Sequence, residues 1–298
     1  MADRPRYLVI VPPDLRRTAA LFRAMALAKE TQAEITLALF DFDAVLAKAE
    51  ARGFSISAYL DGRRRELEQF TTHLRLEGFS VTTEVCWGSP FTKQVLAEVD
   101  RIKPDLVIKD VHTERALKRL LLTGWDFELL RHCPAPLMLV KPGHHNLPVH
   151  IMAAVDPLDE NNRPHELNGR ILGAAEKYGM VTGASVDVVH VFQPLPVMAS
   201  AAGLGGSGWA PDYSLVQELR NEHVQALQAL GNEYGVEERH LHILDGFPAS
   251  ILTEFSVTYG IDLVVMGTVS RRGLERLMLG SVAEELFQKL DCDVLAVK

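Results

Sequence analysis

Gly267 and Gly280 bracket an arginine-bearing, leucine-rich segment, Met266-Gly-Thr-Val-Ser-Arg-Arg-Gly-Leu-Glu-Arg-Leu-Met-Leu-Gly-Ser-Val-Ala-Glu-Glu-Leu286. Glycine lets a backbone come close to a ligand, and the unpaired amides of a helix start favour an anion. The run Leu263–Met266 reads as a strand ending at Gly267, and Ser281-Val-Ala-Glu284 has the spacing of a capping box. A helix opening there would direct its first-turn amides back toward Gly267. In an open parallel sheet ligands gather outside the carboxyl ends of the strands, so this frame could hold a phosphate. A plain turn at Gly267 and a plain cap at Ser281, with Arg271, Arg272 and Arg276 as a solvated face, account for the same residues equally well on composition alone.

Other chemical patterns resolve more simply. Gly203-Leu-Gly205-Gly-Ser-Gly208 fits a G-x-G-x-x-G string. The dinucleotide fingerprint needs its glycines directly between a strand and its helix, whereas here Pro194 and Pro196 intervene, so the run reads as a flexible loop. The chain has no G-x-x-x-x-G-K-[ST], H-E-x-x-H or G-x-S-x-G. The lysine and hydroxyl that a P-loop enzyme sets on phosphates and Mg²⁺ are therefore missing. His240 and His242 share one face of a strand, but two histidines without a third ligand read as an exposed edge. His144 and His145 read as a solvated pair. Cys86, Cys133 and Cys292 form no C-x-x-C and read as reduced, mostly buried thiols.

A length of 298 residues implies about two domains. The balance of 31 Lys and Arg against 39 Asp and Glu gives −8, which argues against a nucleic-acid partner, since a phosphate backbone asks for a basic stripe. The opening MADRPRYLVIVPPDLRR has only a short apolar run before Pro12, and nowhere do 18 apolar residues run together. No membrane partner and a cytoplasmic location are expected.

Aliphatic runs alternate with amphipathic stretches, the pattern of a parallel sheet covered by helices. Strands are predicted at Tyr7–Val11, Ile35–Phe40, Ser80–Val85, Leu106–Lys109 and Leu137–Val140, with helices near 15–31, 57–77, 89–102 and 125–132. The second half repeats this, with strands at His150–Val155, Val186–Phe192, Leu241–Leu244, Leu263–Met266 and Val294–Val297. Its helices fall near 161–179, 212–234, 248–259 and 281–290. The halves, 1–142 and 149–298, meet at Pro142-Gly-His-His-Asn-Leu-Pro148. Sliding 105–141 onto 262–298 gives 12 identities in 37 positions without a gap, so the chain is an internal duplication.

The string M-G-x-x-S-R-R-G-L-x-R-L-x-L-G-S-V-A-E, followed by a last strand, resembles the G-x2-G-x9-G-[S/T] signature of universal stress proteins, with Ser270 in place of the middle glycine. The likeness extends to Ala154-Val-Asp156 after the half's first strand, Val189-His-Val191 ending its second, and Gly246-x-Pro248 opening its third helix. The whole length is similar to the tandem two-domain members of that family. The resemblance implies two α/β domains, each a five-stranded parallel sheet of order 3-2-1-4-5 flanked by helices. It also implies ATP or another adenine nucleotide in the second domain. Asp156 and Val191 would face adenine and ribose, and Met266 and Gly267 would pack under the sugar and phosphates. Gly280, Ser281 and Val282 would bind phosphate, with Arg271 and Arg272 as charge partners.

In the first half Asp110 replaces Gly267, Thr123 replaces Gly280, Gly124 replaces Ser281 and Trp125 replaces Val282, so that half is expected to bind no nucleotide. Three functions follow: a stress-response module binding adenine nucleotide, a scaffold holding an apolar or lipid-like ligand, and, ranked last for want of a general base or metal carboxylate beside the frame, an ATPase or phosphotransferase. Single-domain members pair through their last strands. Leu137–Val140 and Val294–Val297 are therefore expected to pair within one chain, with a homodimer as the alternative. Cysteines placed at Leu139 and Ala296 should crosslink inside the monomer, and purely intermolecular products would refute this arrangement.

Overall fold

A computed structural model describes residues 4–111, 113–114, 119–120, 124–143, 147–158, 164–194, 213–268 and 281–298. It divides into two compact units, Met1–Leu147 and Pro148–Lys298. The first contains β1 (Arg6–Val11), α1 (Ala19–Thr31), β2 (Glu34–Asp41), α2 (Ala44–Glu50), α3 (Ser57–Leu76), β3 (Val81–Trp87), α4 (Phe91–Ile102) and β4 (Leu106–Asp110). A short antiparallel hairpin, β5 (Thr113–Glu114) and β6 (Arg119–Leu120), precedes α5 (Gly124–His132) and β7 (Leu137–Val140). The second unit contains β8 (His150–Ala154), α6 (Pro164–Thr182), β9 (Ser185–Phe192), α7 (Tyr213–Glu233), β10 (Leu241–Asp245), α8 (Pro248–Thr258), β11 (Leu263–Gly267), α9 (Ser281–Lys289) and β12 (Asp293–Val297).

Each unit carries a five-stranded parallel sheet. The first has the order β3-β2-β1-β4-β7 and the second β10-β9-β8-β11-β12, which is 3-2-1-4-5 in both. The central strands are apolar on both faces because both are covered: Leu8, Val9, Val107, Ile108, Ile151, Met152, Val264 and Val265 are all fully buried.

The duplicated sequence builds duplicated devices. Asp105, in the DLVI run, accepts the Arg6 amide at 2.8 Å. Asp262, in DLVV, accepts the Val149 and His150 amides at 2.8 and 3.0 Å. In each unit one carboxylate thus pins the start of the first strand to the start of the fourth. Gly88 and Gly246 have φ of +141° and +142°, a region that side chains rarely adopt, and both precede a proline-led helix.

Three local features depart from expectation. The first helix begins at Ala19, not near 15, because Leu15 turns through a positive φ of 50° and Thr18 caps Leu21. Helix α2 was not predicted: it is seven residues long, Asp43 caps it through Val45 and Leu46, and it buries no residue. The β5–β6 hairpin occupies the arginine- and leucine-rich segment of the first unit. Its second-unit counterpart, with Ser270, Arg271, Arg272 and Gly280, lies outside the described residues, as do Gly203–Gly208, His144 and His145.

None of the three cysteines is in a disulfide; Cys133 and Cys292 are buried and Cys86 is half-buried. Burial, with Glu98 and Glu84 adding to it, pushes the Cys86 thiol up to about 12. Among the described residues no helix is long and apolar enough to cross a membrane.

Candidate functional site

Ala154 ends β8, Asp156 follows two residues later, Val191 is the penultimate residue of β9, Gly267 ends β11, and Ser281 and Val282 open α9. Register sets these neighbours side by side, Ala154 beside Met266 on β11 and beside Val189 on β9. The parallel sheet therefore delivers Ala154, Asp156, Val191, Met266 and Gly267 to one carboxyl edge, where open α/β sheets bind ligands.

Asp156 is fixed through its backbone. Its amide donates to Asn168 Oδ1 at 3.1 Å, and Asn168 Nδ2 donates to its carbonyl at 2.8 Å. Asn168 is itself buried on α6, so the loop after β8 is held rigidly to the helix. A methyl built on Gly267 would stand 2.6 Å from Leu167 Cδ2, so Leu167 of α6 packs directly over that glycine.

Two histidines missed by motif reading lie at the same edge. His190 of β9 is buried, with Nδ1 3.1 Å from the Val155 carbonyl and 4.0 Å from Asp156 Oδ1. Its Nε2 lies 2.7 Å from Nδ1 of His223 on α7. The ring centroids are 4.9 Å apart at an interplanar angle of 10°, which with so short an N···N contact means coplanar rings meeting edge to edge rather than face to face. Phe192 tilts against His223 at 4.9 Å. Burial holds His223 below the usual histidine value, opposed by the nearby charges of Asp156 and Glu222. The only sequence signal was His190 inside Val189-His-Val191; His223 is brought in by helix packing.

His240 and His242 are not the plain exposed edge that was expected. His240 Nδ1 and His242 Nε2 lie 3.0 and 2.9 Å from the same oxygen of Asp187, on β9. Burial raises the Asp187 carboxyl, but the two imidazoles outweigh it and hold it below the usual carboxylate range. Among the described residues no group of three His, Cys, Asp or Glu is placed to hold a metal.

Residues 6–141 and 150–298 each match the universal stress protein family. The chain belongs to that family. It is 27% identical over 304 residues to the universal stress protein E homolog of Haemophilus influenzae, covering 98% of this chain and 96% of that one. Universal stress protein E of Escherichia coli is 25% identical, with 100% and 95% covered. Among solved structures, the functionally unknown protein PA1789 of Pseudomonas aeruginosa matches with a TM-score of 0.77 at 26% identity, over 100% of this chain and 93% of its own. A universal stress protein of Archaeoglobus fulgidus has the same fold, with a TM-score of 0.63, 18% identity and 98% coverage of both chains.

The universal stress fold is thus present twice, but the carboxyl edge of the first unit is filled by its own side chains. Register places Ile10 opposite Lys109 as it places Ala154 opposite Met266, so Pro12 stands where the second unit has Asp156. By the same comparison of β1–β2 with β8–β9, Leu39 replaces His190 and Asp41 replaces Phe192. Asp41 is buried and engaged by Tyr59 Oη at 2.7 Å and Arg63 Nε at 2.8 Å, while Arg63 also donates to the Pro13 carbonyl at 2.6 Å. Lys109, at the place of Met266, is buried against Asp126 at 2.5 Å and Trp125, and donates to the Asp110 carbonyl. Asp110, at the place of Gly267, accepts the Ala20 amide at 2.9 Å, adding a carboxylate to the start of α1.

Proposed function

We propose that this universal stress protein is a cytoplasmic stress-response module that binds one adenine nucleotide per chain, at the carboxyl edge of the second unit. The observation that carries the proposal is the contrast between the two edges. Where the first unit has Pro12, Lys109, Asp110 and Asp126, the second has Asp156, Met266, Gly267 and Ala283. Uncharged Met266, Gly267 and Ala283 near the start of α9 suit a phosphate ester, with Asp156 left for the base and ribose; carboxylates at the places of Gly267 and Ala283 do not. Asp156, Val191, Met266 and Gly267 would line the site beside Ala154; Gly280, Ser281 and Val282 would bind phosphate, and Arg271 and Arg272 would be charge partners, with Ser270 at the middle position of the motif. ATP supplies a base for the β8–β9 end and phosphates for the α9 start, which fits the residues present.

Calorimetric titration with ATP tests this, and a stoichiometry of one is expected. If the middle position of the motif needs φ > 0, serine there costs about 1–2 kcal/mol relative to glycine, so Ser270→Gly should tighten binding about tenfold. Stability should change by only a few tenths of a kcal/mol. Two equivalent sites would overturn the asymmetry. No heat from either protein at millimolar ATP would turn the glycine frame into a turn and a cap.

A second reading, a scaffold whose pocket takes an apolar ligand, is favoured by Leu167, whose side chain lies against Gly267 and makes that end of the edge partly hydrocarbon. The same titration separates the two.

A further inference from the structure

The His190–His223 pair has a hydrogen-bond polarity that can be followed outward from the sheet. The Val155 carbonyl can only accept, so His190 Nδ1 carries the hydrogen of their 3.1 Å contact. A neutral imidazole carries one ring hydrogen, which leaves His190 Nε2 as an acceptor. The 2.7 Å contact must then be donated by His223 Nδ1. A neutral His223 therefore has a lone pair at Nε2, and no hydrogen bond to that nitrogen is made among the described residues. The ring is wedged between His190 and Phe192 at the carboxyl end of β9, close enough to Asp156 to feel its charge.

Resting on the nucleotide reading above, we propose that His223 is a specificity-determining residue that selects a purine with an exocyclic 6-amino group, by accepting its N–H at Nε2. A 6-oxo purine would set oxygen against the lone pair and leave both acceptors unsatisfied. The chain Val155 carbonyl, His190, His223 fixes the tautomer, so discrimination is built into the fold and does not depend on a free rotor. Protonation reverses it: an imidazolium Nε2–H donates to a 6-oxo group and meets an amine unfavourably. Among the described residues the charged or titratable groups around His223 are Asp156 after β8, His190 on β9 and Glu222 on α7 itself. Asp245 at the end of β10 is engaged by Arg220 of α7 at 3.0 Å.

The test compares ATP with inosine triphosphate, which keeps the ribose and phosphates and exchanges the 6-amino group for oxygen. Wild type should prefer ATP by about tenfold to a hundredfold near pH 8, the range expected when a buried polar group loses its partner. His223→Phe should bring the ratio near one, chiefly by weakening ATP. In the wild type alone, lowering the pH to about 5 should narrow or invert the preference as the imidazole charges. Equal binding of the two nucleotides by wild type would overturn the role of His223 and leave the nucleotide site standing. An ATP preference that is the same in His223→Phe and unmoved by pH would do likewise. Silence from both nucleotides would remove the nucleotide reading itself.

Discussion

Asp126→Ala should destabilise the first unit by about 3–5 kcal/mol, the usual cost of removing one partner of a buried ion pair. Lys109 is 2% exposed and its partner is fully buried, so the stranded ammonium would have no water to turn to. Burial already holds the Lys109 amine below the usual lysine value, against the opposing pull of Asp126 and then Asp110. The face of Trp125, 4.2 Å from the nitrogen, and the Asp110 carbonyl would remain beside it. The second unit supplies the repair, since Met266 and Ala283 stand in the corresponding places. Lys109→Met combined with Asp126→Ala should therefore recover most of the loss, because apolar replacement of a buried pair is often neutral or stabilising. Urea unfolding of the full chain, followed by circular dichroism, reads both effects. A double variant as unstable as the single one would show that packing, not stranded charge, sets the cost.

Gly267→Asp should remove nucleotide binding from the second unit. It copies Asp110, and a carboxylate about 5 Å from a phosphate charge costs about 3 kcal/mol at an effective dielectric near 20, a loss of more than a hundredfold. The substitution also brings a Cβ to 2.6 Å from Leu167 Cδ2, so sterics must be separated from charge. Gly267→Ala makes the same contact without the carboxylate. Leu167 meets it with the end of a flexible side chain and can turn aside, so the alanine variant should keep most of its affinity. ATP titrations of the two variants, with thermal melts to confirm folding, decide the matter. Aspartate and alanine variants of equal affinity would refute the electrostatic account.

Nearly every element of the fold was legible because doubly covered strands read as short aliphatic runs and their helices as amphipathic stretches, while the strand order came from the family resemblance. Where that signal is absent, reading failed. Helix α2 buries nothing, and the late start of α1 hangs on the backbone of Leu15 and the Thr18 cap. At the site, Asp156 and the glycines came from a motif that keeps its spacing along the chain. The residues that a motif cannot show are those joined across the fold: His190 with His223, Lys109 with Asp126, and Asp187 with His240 and His242. Each partnership depends on which helix or neighbouring strand is laid against the first residue, and one sequence read linearly holds no record of that.

The state of Cys86 bears on how this chain could meet an oxidant. Peroxide attacks the thiolate, and with a thiol pushed up to about 12 only roughly one molecule in 10⁵ carries that anion near pH 7. Cys133 and Cys292 are each buried in the core of their own unit, away from solvent. The cysteine thiols of this chain are therefore poor redox sensors, and an oxidative burst would leave little record in them.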